Sequence, residues 1–477
     1  MKQSIHLQLP FRPALPHTIA SKDYRDEVAL YKAIDHMIVE LALDLKFVRL
    51  VHPEGEVREK RVAYLVAAFR ILVADFLRGA RSVRELSRTL ADSRLLQWFC
   101  GLEEFGRTSA PSKSAINRMR GLVDAEKITA LGAELLAACG SADTADRLGL
   151  EAPCGMEEVW FDATCLEANI HYPTDWGLLA DATRTLAKAL TRIRECGVRN
   201  RMTEKPEAFI RRANQLCISM SQQRGKRNRA GEKRKILRKL VKEARKAANH
   251  ARKHLAKLEV AGDDAMTQGR RRVLSERVEA VLAKLPEAVR QAEERILHGR
   301  QIPSAEKLLS LYEEQIHVVK RGKGNASVEF GNVLLVGETR EGLLVDVHLC
   351  KANEADVSLL EDGVGRVEEA TGRMLSMICG DRGFYSAQNE TWLKERGIRS
   401  EICPRGVRKK RPGKADEAFR SAQKRRAQTE GRIAILKHAV MGGRLRVKGF
   451  ANRVRAVAWA QLSHNLWVLG RLAAAAG

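Results

Sequence analysis

The chain has 477 residues, enough for roughly two to four domains of about 150 residues each; 44% are hydrophobic and 30% charged, which excludes a disordered or fibrous class. Lys and Arg total 84 against 59 Asp and Glu, a net charge of +25. That excess argues for a polyanionic partner, because each neutralised phosphate releases condensed counterions. The nine cysteines (Cys100, Cys139, Cys154, Cys165, Cys196, Cys217, Cys350, Cys379 and Cys403) include no C-x2-C pair. They fit reduced, mostly buried thiols of a cytoplasmic protein rather than a zinc site or a disulfide frame.

Residues 1–25 read as an irregular arm: Pro10, Pro13 and Pro16 interrupt it and no apolar stretch of a signal peptide follows. Residues 26–150 read as helical. The most apolar stretch, Val62 to Leu77, carries Arg70 and Asp75 and is too short to span a bilayer comfortably, so a buried helix is expected and no membrane partner. Ser82-Val83-Arg84-Glu85 is a capping box, and Pro111-Ser112-Lys113-Ser114 marks a second helix start. Arg81, Arg84, Arg88 and Arg118 fall on exposed positions by spacing. This series is either a helix-turn-helix reader of DNA or a plain helical bundle.

The segment 157–170 is strand-like, and Tyr172-Pro173-Thr174-Asp175 punctuates it before a helix. Residues 177–300 read as a helical insertion, a hairpin or coiled-coil arm. Leu237, Leu240, Ala244, Ala247, Ala251 and Leu258 form a near-heptad stripe, Gly262-Asp263-Asp264 a turn, and Pro286 a break or new start. Residues 199–257 hold 20 Lys/Arg against 4 Asp/Glu, an excess of 16. Lys235 and Lys239 in that window are expected to track DNA phosphates. Strands are expected at 328–339, 342–349, 374–380 and 399–403, with helices at 356–370, 386–396, around Glu430, and at 451–475. Omitting the insertion, the order is β-β-β-α-β-α-β-α.

Three carboxylates stand in distinct settings. Asp162 ends the apolar run Val159-Trp160-Phe161, Asp381 follows Met377-Ile378-Cys379-Gly380, and Glu430 lies in Arg426-x3-Glu430-x6-Lys437. On a continuous helix Arg426, Glu430 and Lys437 share a face within about 100°. At these residues the chain resembles the DDE-type transposases of bacterial insertion sequences. The matching stretches are Trp160-Phe161-Asp162-Ala163-Thr164, Cys379-Gly380-Asp381-Arg382-Gly383-Phe384-Tyr385 and the Y-x2-R-x3-E-x6-K signature, whose tyrosine position here holds Gln423. The long insertion also departs from the familiar pattern, following the first aspartate rather than preceding the glutamate helix.

The resemblance implies an α/β fold: a ribonuclease H-like mixed sheet with flanking helices at 157–176 and 327–450, an all-α N-terminal DNA-binding domain at 26–150, the insertion at 177–300 and a C-terminal helix at 451–477. It implies metal-dependent cleavage and strand transfer, with Asp162, Asp381 and Glu430 holding two Mg²⁺ ions, Mn²⁺ being a possible substitute. Arg426, Lys437, Arg84 and Arg118 would contact DNA. The implied partners are double-stranded DNA, at transposon ends and target, and further copies of the chain, at least a dimer, in the nucleoid-associated cytoplasm. A nuclease or resolvase of the same fold, and a domesticated DNA-binding regulator, are the alternatives; the intact acidic triad argues against the latter. His171 and Asp175 are open between a place near the carboxylates and a structural one. Trp176 reads as a core or lid aromatic more readily than as a base-stacking one, and Asp346 as structural.

Overall fold

The computed structural model describes residues 12–16, 20–104, 107–223, 230–262, 266–320, 328–404 and 417–476. Asp263, Asp264 and the basic stretch Arg408–Pro412 lie outside them. The chain divides into two compact units, 1–169 with 332–477, and 170–331.

The first unit opens with helices α1 (Lys22–Glu40), α2 (Leu43–Val51) and α3 (Glu59–Leu77). The apolar stretch expected to be a buried helix is α3. Its Arg70 is fully buried because Asp35 and Asp44 neutralise it and the Phe99 carbonyl accepts from it at 3.1 Å. Its Asp75 is buried against Arg120. A buried charge is tolerated only when paired in this way.

Helix α4 (Val83–Asp92) begins at the expected cap, Ser82 accepting from the Glu85 amide at 3.2 Å. After α5 (Arg94–Cys100) and the two-residue strands β1 (Glu103–Glu104) and β2 (Arg107–Thr108), Ser112 caps α6 (Lys113–Met119) in the same manner. Helices α7 (Ala125–Cys139) and α8 (Ala142–Arg147) lead into strand β3 (Glu158–Glu167).

The second unit holds α9 (Asp175–Glu195), α10 (Pro206–Ser221), α11 (Ala230–Ala261), α12 (Gln268–Ala292) and strand β4 (His317–Lys320). The near-heptad stripe of α11 is buried throughout. It shares one core with Leu179, Leu186 and Ile193 of α9, Phe209 of α10 and Val278 and Val281 of α12. Pro286 does not break the chain. Helix α12 runs through it, the proline lying on an exposed position where one missing amide bond is tolerated. Strand β4, absent from the sequence reading, pairs antiparallel with the start of β5 (Val328–Glu338).

Back in the first unit, β5 turns into β6 (Leu344–Leu349), followed by α13 (Asp356–Thr371), β7 (Met377–Gly380), α14 (Ala387–Glu395), β8 (Arg399–Ile402), α15 (Glu417–Ala434) and α16 (Phe450–Ala476). The sheet order here is β6-β5-β3-β7-β8, with β5/β6 antiparallel and β3/β7 and β7/β8 parallel. A mixed sheet flanked by helices is consistent with a ribonuclease H-like arrangement. Helix α16 is apolar on most sides and therefore buried. It packs against α1, α3 and α7, its Trp459 ring 5.9 Å from Phe47 and 5.7 Å from Phe69.

Candidate active site

Register places the two aspartates side by side. In the parallel β3/β7 pair Trp160 stands opposite Cys379, so Asp162 and Asp381, each two residues further on, leave neighbouring strands at the same level. Adjacent strands are about 4.8 Å apart. Asp162 accepts from the Ala163 amide at 2.8 Å and Asp381 from the Gly383 amide at 2.7 Å. Burial pushes the Asp162 carboxyl up to about 6; the negative charges of Asp381 and Glu430 add to the rise, while the Ala163 amide and Arg426 oppose it.

Glu430 reaches this pair through Arg426. One guanidinium nitrogen lies 3.2 Å from the Glu430 carboxylate and 3.9 Å from that of Asp162. Among the described residues no three His, Cys, Asp or Glu side chains are spaced to share one metal ion. The donor set is nonetheless of the kind that Mg²⁺ selects, hard carboxylate oxygens whose charges converge, with an arginine in their midst.

What holds α15 over the sheet is a buried carboxylate that sequence reading missed. Glu338, at the end of β5, has no exposed surface, and Arg425 and Arg432 of α15 close on it at 3.2 and 3.0 Å. These arginines stand five residues before and two after Glu430. Arg425 also donates to the Thr339 carbonyl at 2.7 Å and lies over the Trp160 ring at 4.9 Å. The Trp160 indole donates to the Ala422 carbonyl at 3.0 Å. Gly342, at φ +92°, admits the Arg432 guanidinium where a Cβ would collide with it. The available cue was the one that marks Asp162, an acid ending an apolar run (Val333-Leu334-Leu335-Val336-Gly337-Glu338).

Gln423, where the signature has tyrosine, ties α15 to the strand ends. Its amide donates to the Glu401 carbonyl at 2.6 Å and to the Gly380 carbonyl, next to Asp381, at 3.2 Å. Lys437 does not continue the α-helical face of Arg426 and Glu430. Residues 435–440 form a π-helical turn, and the Lys437 amine donates to the Cys165 carbonyl at 2.7 Å and to Thr164 at 3.3 Å. Such turns widen the helix and recur at functional sites.

The remaining candidates are dispersed. Arg84 on α4 and Arg118 on α6 are exposed, as are Lys235 and Lys239 on α11 of the second unit. Asp175 is buried against Arg295 at 2.8 Å and Gln291 at 2.9 Å, a structural role, and Trp176 packs on the helical core. His171 is exposed, and Asp346 pairs with Arg366 at 2.8 Å.

Residues 304–466 match the family described as "Transposase DDE domain", and residues 23–122 match "Transposase domain (DUF772)". The chain belongs to the DDE-type transposases of insertion sequences. The first match contains Asp381 and Glu430; Asp162 lies upstream of it, joined to the matched region by the β3/β7 register. No curated protein and no solved structure matches the chain. Among the described residues of this transposase, no helix is long and apolar enough to cross a membrane.

Proposed function

We propose that this transposase binds the ends of an insertion sequence, cleaves the DNA there and joins the freed 3′-hydroxyl to target DNA, with Asp162, Asp381 and Glu430 as the metal-holding carboxylates. The observation that carries this reading is the β3/β7 register, which brings Asp162 and Asp381 to one level under a helix bearing Glu430. Two bound Mg²⁺ ions would lower the pKa of the attacking water and stabilise the leaving oxygen.

The chain's own side chains do the positioning. Each aspartate has one carboxylate oxygen occupied by a backbone amide, Ala163 for Asp162 and Gly383 for Asp381, which orients its other oxygen. Arg426 balances the converging carboxylates and is placed to hold the scissile phosphate once their charge is neutralised otherwise. Arg84 and Arg118 are assigned to end recognition, Lys235 and Lys239 to sequence-independent phosphate contacts, and Lys437 to the DNA strand near Thr164. An assembly of at least two chains on the two ends belongs to the same reading.

The test is divalent-dependent nicking of labelled terminal DNA by Asp162→Asn, Asp381→Asn and Glu430→Gln. Each should fall by more than about a thousandfold, the scale on which lost electrostatic stabilisation is felt, while DNA affinity persists. Undiminished turnover by Asp381→Asn sinks the assignment. Nicking without joining would favour a nuclease instead.

A further inference from the structure

The first unit contains a cavity of about 300 Å³ between the end of α3, α6 and the segment 445–459. Both family-matched regions contribute to its wall. Its chemistry is one-sided: Arg81, Arg120, Arg446, Lys448 and Arg455 line it, and no acidic side chain does. Three of these cations have carboxylate partners elsewhere, Glu85 for Arg81, Asp75 for Arg120 and Asp124 for Arg455. Arg446 is exposed and has no such partner among the described residues.

Leu72, Phe76 and Trp459 add apolar surface to the same lining, together with the amides of Asn117 and Asn452. Trp459 is 2% exposed, and its indole N–H has no hydrogen-bond partner among the described residues. A buried donor left unmade costs about 1–3 kcal/mol, so an acceptor supplied from outside is the economical explanation.

Cations, apolar surface, and amide and indole groups gathered in one cavity match a phosphate joined to a flat heterocycle. The volume is at the lower end for ligand cavities, which suits one such unit. We propose that this cavity receives a single nucleotide of a DNA strand. Its phosphate would meet Arg446, Lys448 and Arg455, and its sugar and base edge would meet the Asn117, Asn452 and Trp459 donors over the apolar surface. This deepens the DNA-binding reading above and rests on it.

The experiment is calorimetric titration of the full chain with a deoxynucleoside 5′-monophosphate, the matching deoxynucleoside, inorganic phosphate and a short single-stranded oligonucleotide. The monophosphate should bind one per chain and about tenfold or more tighter than either of its halves, and the oligonucleotide tighter still. Arg446→Glu with Lys448→Glu, both at exposed positions, should weaken the monophosphate by at least about tenfold with an unchanged melting temperature. Equal affinity for phosphate and monophosphate would reduce the cavity to an anion site, and an unaffected charge-reversal variant would place binding elsewhere. An oligonucleotide no tighter than the monophosphate would make the ligand a free nucleotide; each of these overturns the proposal. Asp381→Asn separates it from the functional reading: nucleotide binding should survive in that variant, whether or not nicking does.

Discussion

Glu338 is the residue on which the geometry around Glu430 turns. Removing its charge while keeping its shape, in Glu338→Gln, leaves two guanidiniums facing a neutral amide in a buried place. Breaking a buried pair of this kind costs about 3–5 kcal/mol. The helix that carries Glu430 then loses its register on β5, so nicking should fall and the divalent concentration for half-maximal rate should rise. Those two readouts must move beyond what the melting temperature explains; in a Glu430→Gln background the shift in metal dependence should vanish. An unaltered metal dependence in the single variant would make Glu338 purely structural. Asp162, Asp381 and Glu430 stand out in the sequence because each sits in a short local pattern. Glu338 ends an apolar run too, but its burial between two arginines was not legible, because those partners lie 87 and 94 residues further along the chain.

His464 gives a second prediction at this scale. Burial and the nearby Arg432 charge push its imidazole down to about 3, from an ordinary value of 6.5. The folded state thus holds it neutral, while the unfolded chain protonates near 6.5. Its contribution is whole above pH 6.5 and is lost as the pH falls toward 3. At pH 5 the loss is about 2 kcal/mol, from about 1.4 kcal/mol per pH unit below the unfolded pKa. His464→Gln should remove that part of the slope; urea midpoints at pH 7.5 and 5.0 for both proteins test it. A parallel decline in the two would refute the burial argument.

At the level of elements, helices and strands were legible wherever periodicity and caps agreed, as at Ser82, Ser112 and the α11 stripe. What each element packs on was not. Helix α16 reads in sequence as a last apolar helix, yet it completes the N-terminal helical core and also clamps a strand. The Asn465 side chain accepts from the Leu344 amide at 2.8 Å and donates to its carbonyl at 2.9 Å, pairing with the start of β6 as a further strand would. Gln461 adds a bond to the same carbonyl at 3.0 Å. Asn465→Leu leaves a buried backbone N–H unpaired and should cost about 1–3 kcal/mol. The amide exchange of Leu344 should accelerate more than that of Val347 in mid-strand. Equal protection in variant and parent would mean that the clamp contributes nothing. The π-helical turn at 435–440 was likewise beyond a reading based on a uniform 3.6-residue period, which is why Lys437 departs from the face of Glu430.

Over the whole molecule, charge was read more readily than boundary. The helical stretch 177–300 falls inside a compact unit that extends over 170–331, because α9 shares the core of α11 and the β4/β5 pairing adds residues that carry no helical signal. Excising 199–300 alone would strip α9 of its cover, so charge reversal is the cleaner probe of what this unit does. Lys235 and Lys239 are exposed and lie one turn apart on one face of α11. Each cation that neutralises a phosphate of duplex DNA contributes about 0.9 to the slope of log affinity against log salt. Lys235→Glu with Lys239→Glu should therefore lower the slope for random duplex by about 2, and weaken binding most at low salt. Terminal and random DNA should weaken by the same factor, because a phosphate contact carries no sequence information. If the slope is unchanged, these lysines face something other than DNA, and a second copy of the chain becomes the partner to test by sedimentation with the same variant.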